Sequence, residues 1–180
     1  MYTHFYKLSE IPFGLTPSPR FVYLGEGHTK ALDHLTHGVA ERKGLILLTG
    51  EIGTGKTTMV KKLLSNLDTT IQYVYVSNPL LSPSDFVEYL AFSAFKRKVH
   101  FKSHANFLSE FESFLRQCLE NHKNFILVMD EAQNLSYEVL DQIRVLSDMK
   151  IKGRNLLSIF LVGQTEFNEK LDKIMKALKI

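Results

Sequence analysis

The run Gly50-Glu51-Ile52-Gly53-Thr54-Gly55-Lys56-Thr57, continued by Thr58, has residue types and spacing that suit a triphosphate. It fits the pattern G-x-x-x-x-G-K-[ST] at every fixed position. Closely spaced glycines let backbone N–H groups turn toward phosphate oxygens with no side chain in the way. A helix starting at the end of the run adds the positive end of its dipole. Lys56 supplies a mobile charge for the β- and γ-phosphates, and the Thr57 hydroxyl is an oxygen ligand for Mg²⁺. A second pair of groups could complete the chemistry. Asp130 and Glu131 follow the apolar run Phe125–Met129, where Asp130 suits Mg²⁺ and Glu131 suits a general base that polarises an attacking water. The same two acids, with Asn134 and Ser136, also read as the start of the next helix. A third polar group, Gln164, follows Leu157–Val162 and Gly163. It could meet the γ-phosphate or the water, or simply sit in a turn that starts a helix at Thr165.

These groups need elements that bring them to one place. Leu45–Thr49 is a short apolar run ahead of the glycines and reads as a buried strand. Thr57–Leu67 carries Met59, Val60, Leu63, Leu64 and Leu67 at helical spacing. Ile71–Val76 reads as a second strand, ended by Asn78-Pro79. Ser82-Pro83-Ser84-Asp85 has the serine, proline and acid of a helix start, and that helix runs to about Lys96. A helix with Phe107, Leu108, Phe111, Phe114, Leu115, Cys118 and Leu119 on one face follows. Phe125–Met129 is a third strand, Ser136 caps a helix to about Met149, and Leu156–Val162 is a fourth strand. The last helix starts at Thr165 with Phe167, Leu171, Ile174, Met175 and Leu178 inward. Ahead of all this, His28–Arg42 reads as a helix through Ala31, Leu32, Leu35 and Val39. Residues 1–25 hold three of the five prolines, Pro12, Pro17 and Pro19. With Phe5, Tyr6, Phe13, Phe21 and Tyr23 they read as an extended lead clamped to the body by its aromatics.

Strands alternating with helices, and apolar on both faces, predict a three-layer α/β fold with a mostly parallel sheet flanked by helices. The carboxyl edge of such a sheet is where ligands bind, which brings Asp130 and Glu131 beside the glycine run. The 180 residues suit one domain, and 44% apolar with 23% charged residues is ordinary globular composition. A net charge of +3 favours no class of partner. Cys118 is the only cysteine, so no internal disulfide forms. Met1–Glu10 does not read as a signal peptide, and no apolar run reaches bilayer length. The expectation is a soluble, cytoplasmic chain.

Three further groupings have plain readings beside chemical ones. His28, His34 and His37 fall on one predicted helix, but no third-ligand spacing of a metal site accompanies them. Lys96, Arg97, Lys98, His100 and Lys102, flanked by Phe95 and Phe101, could touch phosphate backbones or form a solvated loop. Lys170, Lys173 and Lys176 read as the exposed side of an amphipathic helix.

Several of these runs together resemble one family. They are Phe13-Gly14-Leu15-Thr16-Pro17-Ser18-Pro19-Arg20-Phe21, Glu41-Arg42-Lys43-Gly44, the glycine loop, Asn78-Pro79-Leu80-Leu81-Ser82-Pro83, Met129-Asp130-Glu131-Ala132-Gln133-Asn134-Leu135-Ser136 and Leu161-Val162-Gly163-Gln164. Nearly the whole chain resembles the AAA ATPase domain of the general secretion pathway protein A type, a P-loop NTPase. The resemblance implies Lys56 and Thr57 as the Walker A pair, Asp130 and Glu131 as the Walker B pair, and Gln164 at the sensor-1 position. It implies ATP and Mg²⁺ as ligands and puts the N-terminal lead near the adenine. No Asn-Lys-x-Asp run of the kind that selects guanine is present. It further implies self-assembly in the nucleotide-bound state and a membrane-associated partner protein at the bacterial envelope. A fifth strand and a helical lid with a second sensor would follow the last helix. The chain ends at Ile180 and reads as truncated before them. Arg144 and Arg154 are the candidates for an arginine acting on a neighbour's site. Two other functions fit such a core: a DNA-binding ATPase of the transposition-helper type, and a nucleotide-binding switch with negligible hydrolysis.

Overall fold

The computed structural model describes residues 2–11, 25–77 and 79–178, with residues 173–178 described by backbone alone. In chain order the elements are helices α1 (Tyr2–Phe5) and α2 (Glu26–Ala40), strand β1 (Leu45–Thr49), α3 (Lys56–Ser65), β2 (Ile71–Val76), α4 (Pro83–Phe95) and α5 (His104–Glu120). Then come β3 (Asn124–Met129), a 3₁₀ turn (Ala132–Asn134), α6 (Tyr137–Ser147), β4 (Lys150–Ile151), β5 (Arg154–Asn155), β6 (Ser158–Gly163) and α7 (Glu166–Leu178). Four strands form one sheet in the order β1-β6-β3-β2, and every pairing in it is parallel.

The sheet is covered on both faces, which is why its central strands are apolar throughout. Along β3, Phe125, Leu127 and Met129 point to one side, into a core built with Phe86 and Leu90 of α4, Phe107, Phe111 and Leu115 of α5, and Val139 and Ile143 of α6. The alternate residues Ile126 and Val128 point to the other side, with Phe160 and Val162 of β6, against Leu35 and Val39 of α2 and Met59, Val60 and Leu63 of α3. The result is helix, sheet, helix in three layers. Among the described residues β1 is an edge of this sheet, and its Leu45 and Leu47 are exposed on the face away from α2 and α3.

Local signals place the helix starts. The Ser82 hydroxyl accepts from the Asp85 N–H with Pro83 in the first turn of α4. Ser103 accepts from Asn106 N–H at α5, and Ser136 from Val139 N–H at α6. Each satisfies an amide that the helix itself leaves without a partner. Aromatic rings knit α4 to α5 and the loop between them: Phe95 meets Phe101, Phe111 and Phe114 edge-on or tilted, with centroids 5.3 to 6.4 Å apart.

The structure departs from the sequence reading in three places. The lead is not extended at its start: Tyr2–Phe5 is a turn of helix. Phe5 and Tyr6 are exposed and pack on one another rather than on the body. The stretch from Pro12 to Leu24 (Phe13, Pro17, Pro19, Phe21 and Tyr23 included), Asn78 and the side chains of Ile174, Met175 and Leu178 lie outside the described residues. The fourth sheet strand begins at Ser158 rather than Leu156. The segment before it instead folds into the antiparallel β4–β5 pair, Lys150 opposite Asn155 and Ile151 opposite Arg154.

Candidate nucleotide site

Three strand ends meet at one edge of the sheet. In register, Thr49 lies opposite Gly163, Leu161 opposite Met129, and Val76 opposite Met129. The chain therefore leaves β1 into the glycine loop, β3 into Asp130-Glu131 and β6 into Gln164, all at the carboxyl edge. Two backbone bonds continue the pairing past the strands: Gly50 N–H to Gly163 carbonyl at 3.3 Å and Asp130 N–H to Val76 carbonyl at 2.9 Å.

The loop itself is a tight turn. Gly53 and Gly55 have φ of +79° and +82°, a region that side chains disfavour. Gly55 caps α3 in this left-handed conformation, so the amides of Lys56, Thr57 and Thr58 begin the helix facing the loop. Lys56 Nζ folds back and donates to the carbonyls of Gly50 and Glu51, both at 2.8 Å. Thr54 Oγ1 donates to the Glu51 carbonyl, also at 2.8 Å. Ile52 stands at the tip, 80% exposed. His28, at the start of α2, is the loop's other neighbour, with Nε2 3.0 Å from the Thr54 carbonyl.

Asp130 is 4% exposed and fully engaged. Its Oδ2 accepts from the Thr57 hydroxyl at 2.8 Å and from the Tyr75 hydroxyl at 2.6 Å, and its Oδ1 accepts from the Glu131 N–H at 2.9 Å. Such donors are what let a carboxylate stay buried. Thr57 and Asp130 thus present two hard oxygens in direct contact, one residue on from Lys56. This donor set fits Mg²⁺, which takes a few protein oxygens alongside water and phosphate. Tyr75 is held neutral: burial, then the Asp130 hydrogen bond and the negative charges of Asp130 and Glu131, push its phenol well above the ordinary range.

Glu131 differs from its neighbour. It is exposed and has φ of +53°, left-handed for a residue with a side chain. That conformation turns the chain sharply after β3. It costs roughly 1–3 kcal/mol and tends to persist at functional sites. Its carboxylate accepts from Gln133 Nε2 at 2.6 Å. Gln133 Oε1 in turn accepts the backbone N–H of Gln164 at 3.1 Å. Gln164 therefore joins this cluster through its backbone.

The structure thus brings together Gly50, Glu51, Ile52, Gly53, Thr54, Gly55, Lys56, Thr57, Thr58, Asp130, Glu131 and Gln164. It adds four residues that the sequence reading did not place there: His28, Tyr75, Gln133 and Lys170. Lys170 was expected on an exposed helix face. Instead it is half-buried, with Nζ donating to the Gln133 carbonyl at 3.2 Å and to the Leu135 carbonyl, and lying 5.2 Å from the Tyr137 ring centre. The strand position of Tyr75 and the Asp-Glu-Ala-Gln run were visible signals. His28 and Lys170 offered none, because only tertiary packing brings them in.

Other groupings have local partners. His28 faces Thr54, whereas His37 pairs with Glu41 at 2.7 Å. Among the described residues no three His, Cys, Asp or Glu groups are placed to hold a metal ion together. Phe95 and Phe101, which flank the basic run, pack against the core. Arg144 pairs with Asp141 at 2.9 Å and Asp148 at 3.9 Å. Arg154 lies on β5 next to Asn155, whose side chain packs against Gly44 at the start of β1, the opposite end from the glycine loop. Among the described residues no helix is long and apolar enough to cross a membrane.

Comparison with known proteins bears on this geometry. A family profile described as an AAA domain matches residues 39–171. General secretion pathway protein A of Aeromonas hydrophila is 37% identical over 174 residues, covering 95% of this chain and 31% of that protein. The chain therefore spans less than a third of that relative. In fold it is similar to Cdc6p from Pyrobaculum aerophilum, with a TM-score of 0.63 at 22% identity over 84% of this chain and 42% of that one. It is also similar to the Aeropyrum pernix ORC2 protein, solved as ADPNP–ADP complexes, with a TM-score of 0.61 at 15% identity over 92% of this chain and 49% of that one. At those identities the likeness is one of fold.

Proposed function

This chain belongs to the AAA domain family, and from that premise we propose that it is a Mg²⁺-dependent ATPase core of the general secretion pathway protein A type. The observation that carries the reading is the hydrogen bond from Thr57 to Asp130, 2.8 Å long, beside Lys56 and Glu131. It supports a reading in which Thr57 and Asp130 are metal ligands, Lys56 the phosphate-binding ammonium and Glu131 the general base at one strand edge.

The residues divide the work as follows. The amides of Gly50–Thr58 and the start of α3 receive the phosphates. Lys56 exchanges the Gly50 and Glu51 carbonyls for phosphate oxygens, keeping its charge paired throughout. Thr57 and Asp130 would hold Mg²⁺, which would supply charge neutralisation at the phosphate oxygens. Glu131 orients a water toward the γ-phosphorus and accepts its proton as the bond to the ADP oxygen breaks. Gln164 stands at the third strand end, where a polar group can meet the γ-phosphate or that water. Most of the rate in such a site comes from fixed charges and donors rather than covalent chemistry.

In this reading nucleotide-bound copies assemble with one another and act on a membrane-associated partner of a secretion system, from the cytoplasmic side. The nucleic-acid alternative is weaker. The aromatic residues flanking the basic run, which would have stacked on bases, are committed to the core. The test is ATP turnover with Mg²⁺ as a function of protein concentration, alongside binding of ATP and GTP. Turnover per molecule that climbs with concentration, and that Glu131→Gln lowers by about 10²–10⁴-fold, is the expected result. ATP binding with no turnover at any concentration would leave a nucleotide switch and defeat the hydrolytic reading.

A further inference from the structure

Gln133 carries no role in the reading above, yet its side chain spans the site. Its amide head makes two contacts with opposite requirements: a donor toward the Glu131 carboxylate at 2.6 Å and an acceptor toward the Gln164 N–H at 3.1 Å. A primary amide offers both on one planar head. The orientation of the amide is fixed by its neighbours, since a carboxylate accepts only and an N–H donates only. Glutamate in its place would repel Glu131, and asparagine would be one methylene short.

Two other features maintain this bridge. Gly163 immediately precedes Gln164, and a Cβ built there would come within 3.0 Å of Gln133 Oε1 and 3.4 Å of Gln133 N. The absence of a side chain at Gly163 is therefore the space in which the amide sits. From the other side, Lys170 of α7 donates to the carbonyls of Gln133 and Leu135, holding the 3₁₀ turn that carries the bridge. Glu131 has an exposed side chain and a left-handed backbone. Without a tether, its carboxylate would sample several rotamers and face the water position only part of the time.

We propose that Gln133 is a positioning residue that fixes the Glu131 carboxylate relative to the end of β6, so that the general base and the Gln164 segment move as one unit. The kinetic part rests on the hydrolytic reading above; the bridge itself does not.

The test uses this chain with Gln133→Met, which keeps length and removes both polar contacts, and Gly163→Ala, which keeps Gln133 and crowds its amide by a few tenths of an ångström. If Gln133 acts by placing Glu131, both variants bind ATP within about twofold of wild type while kcat falls by roughly tenfold or more in Gln133→Met and by less in Gly163→Ala, since a misplaced base forfeits part of a 10²–10⁴-fold effect. Adding Gln133→Met to Glu131→Gln then produces no further fall, because the residue it places is already disabled. Retained kcat in Gln133→Met, or a full additional fall in the Glu131→Gln background, would overturn the positioning role. The bridge is read separately, without turnover, from the backbone amide of Gln164 in ¹H–¹⁵N spectra of the nucleotide-free chain. Its proton moves upfield in Gln133→Met as the acceptor is lost, and an unmoved signal would overturn the bridge. Wild-type protein that binds ATP without hydrolysing it would sink the hydrolytic reading and leave the spectrum to decide the bridge.

Discussion

Thr57 and Asp130, 73 positions apart in the sequence, are joined by a hydrogen bond of 2.8 Å between the first turn of α3 and the end of β3. This contact ties the start of α3, just after the glycine loop, to the acidic strand end. Thr57→Val should therefore act twice. It removes one donor to a buried carboxylate, which costs about 1.5–3 kcal/mol for a bond to a charged group, readable by urea unfolding. It should also abolish the Mg²⁺ dependence of ATP binding, measured by titration with and without the metal. Thr57→Ser, which keeps the hydroxyl, should preserve both.

Tyr75 donates to the same carboxylate oxygen, and its pKa is raised by burial and by the neighbouring negative charge. A phenol ionises near pH 10 in the unfolded chain. The folded chain keeps its proton to higher pH. The contribution of Tyr75 to stability is then complete below about pH 10 and is lost as the pH climbs above it, where the unfolded form gives up its proton first. Unfolding free energies measured from pH 8 to 11 should fall more steeply in wild type than in Tyr75→Phe. Equal slopes would mean that Tyr75 is not held neutral.

Lys170 anchors α7 to the turn after Glu131 through two carbonyls. Lys170→Met keeps the aliphatic stem and leaves those carbonyls short of a donor. The expected loss is about 1–3 kcal/mol, with faster amide hydrogen exchange concentrated in α7 and residues 131–136. Exchange that speeds up uniformly across the chain would contradict a local anchor.

The segment from Phe95 to Phe111 separates structural residues from solvated ones. Phe111 is fully buried and touches Phe95, Phe107, Phe114 and Phe125. Phe111→Ala should cost about 3–5 kcal/mol. The triple change Lys96→Ala, Arg97→Ala, Lys98→Ala should stay within about 0.5 kcal/mol per site and leave ATP binding unchanged. Salt-dependent binding to duplex DNA that the triple change removes would revive the nucleic-acid reading.

What could be read from sequence here has a physical pattern. The sheet strands and most helices announce themselves because their signals are local: apolar runs, a 3.6-residue period, and serine caps at Ser82 and Ser136. The loop and the two acids were legible because phosphate and Mg²⁺ chemistry constrain contiguous residues. The β4–β5 pair was missed because its strands have two residues each, too short for any alternation to register. Its signal was only the turn at Lys152-Gly153, where both residues have positive φ. His28 and Lys170 stayed hidden for a different reason. Each reaches the site from another element or across a turn, and nothing in a side chain's own neighbourhood in sequence says which carbonyl or carboxylate it will meet. Lys170 shows the limit most plainly, since helical periodicity assigned it to solvent and tertiary packing gave it two carbonyls.

The folded-back Lys56 changes how affinity for nucleotide should be understood. Its ammonium already has two carbonyl oxygens of its own loop as partners, so an incoming phosphate does not rescue a bare charge; it competes with an internal substitute. Under the proposed function, affinity is a difference between two sets of partners, and the cation has carbonyl oxygens to return to when a phosphate leaves. A loop that solvates its own lysine would trade tight holding for ready exchange, as the proposed nucleotide cycle requires.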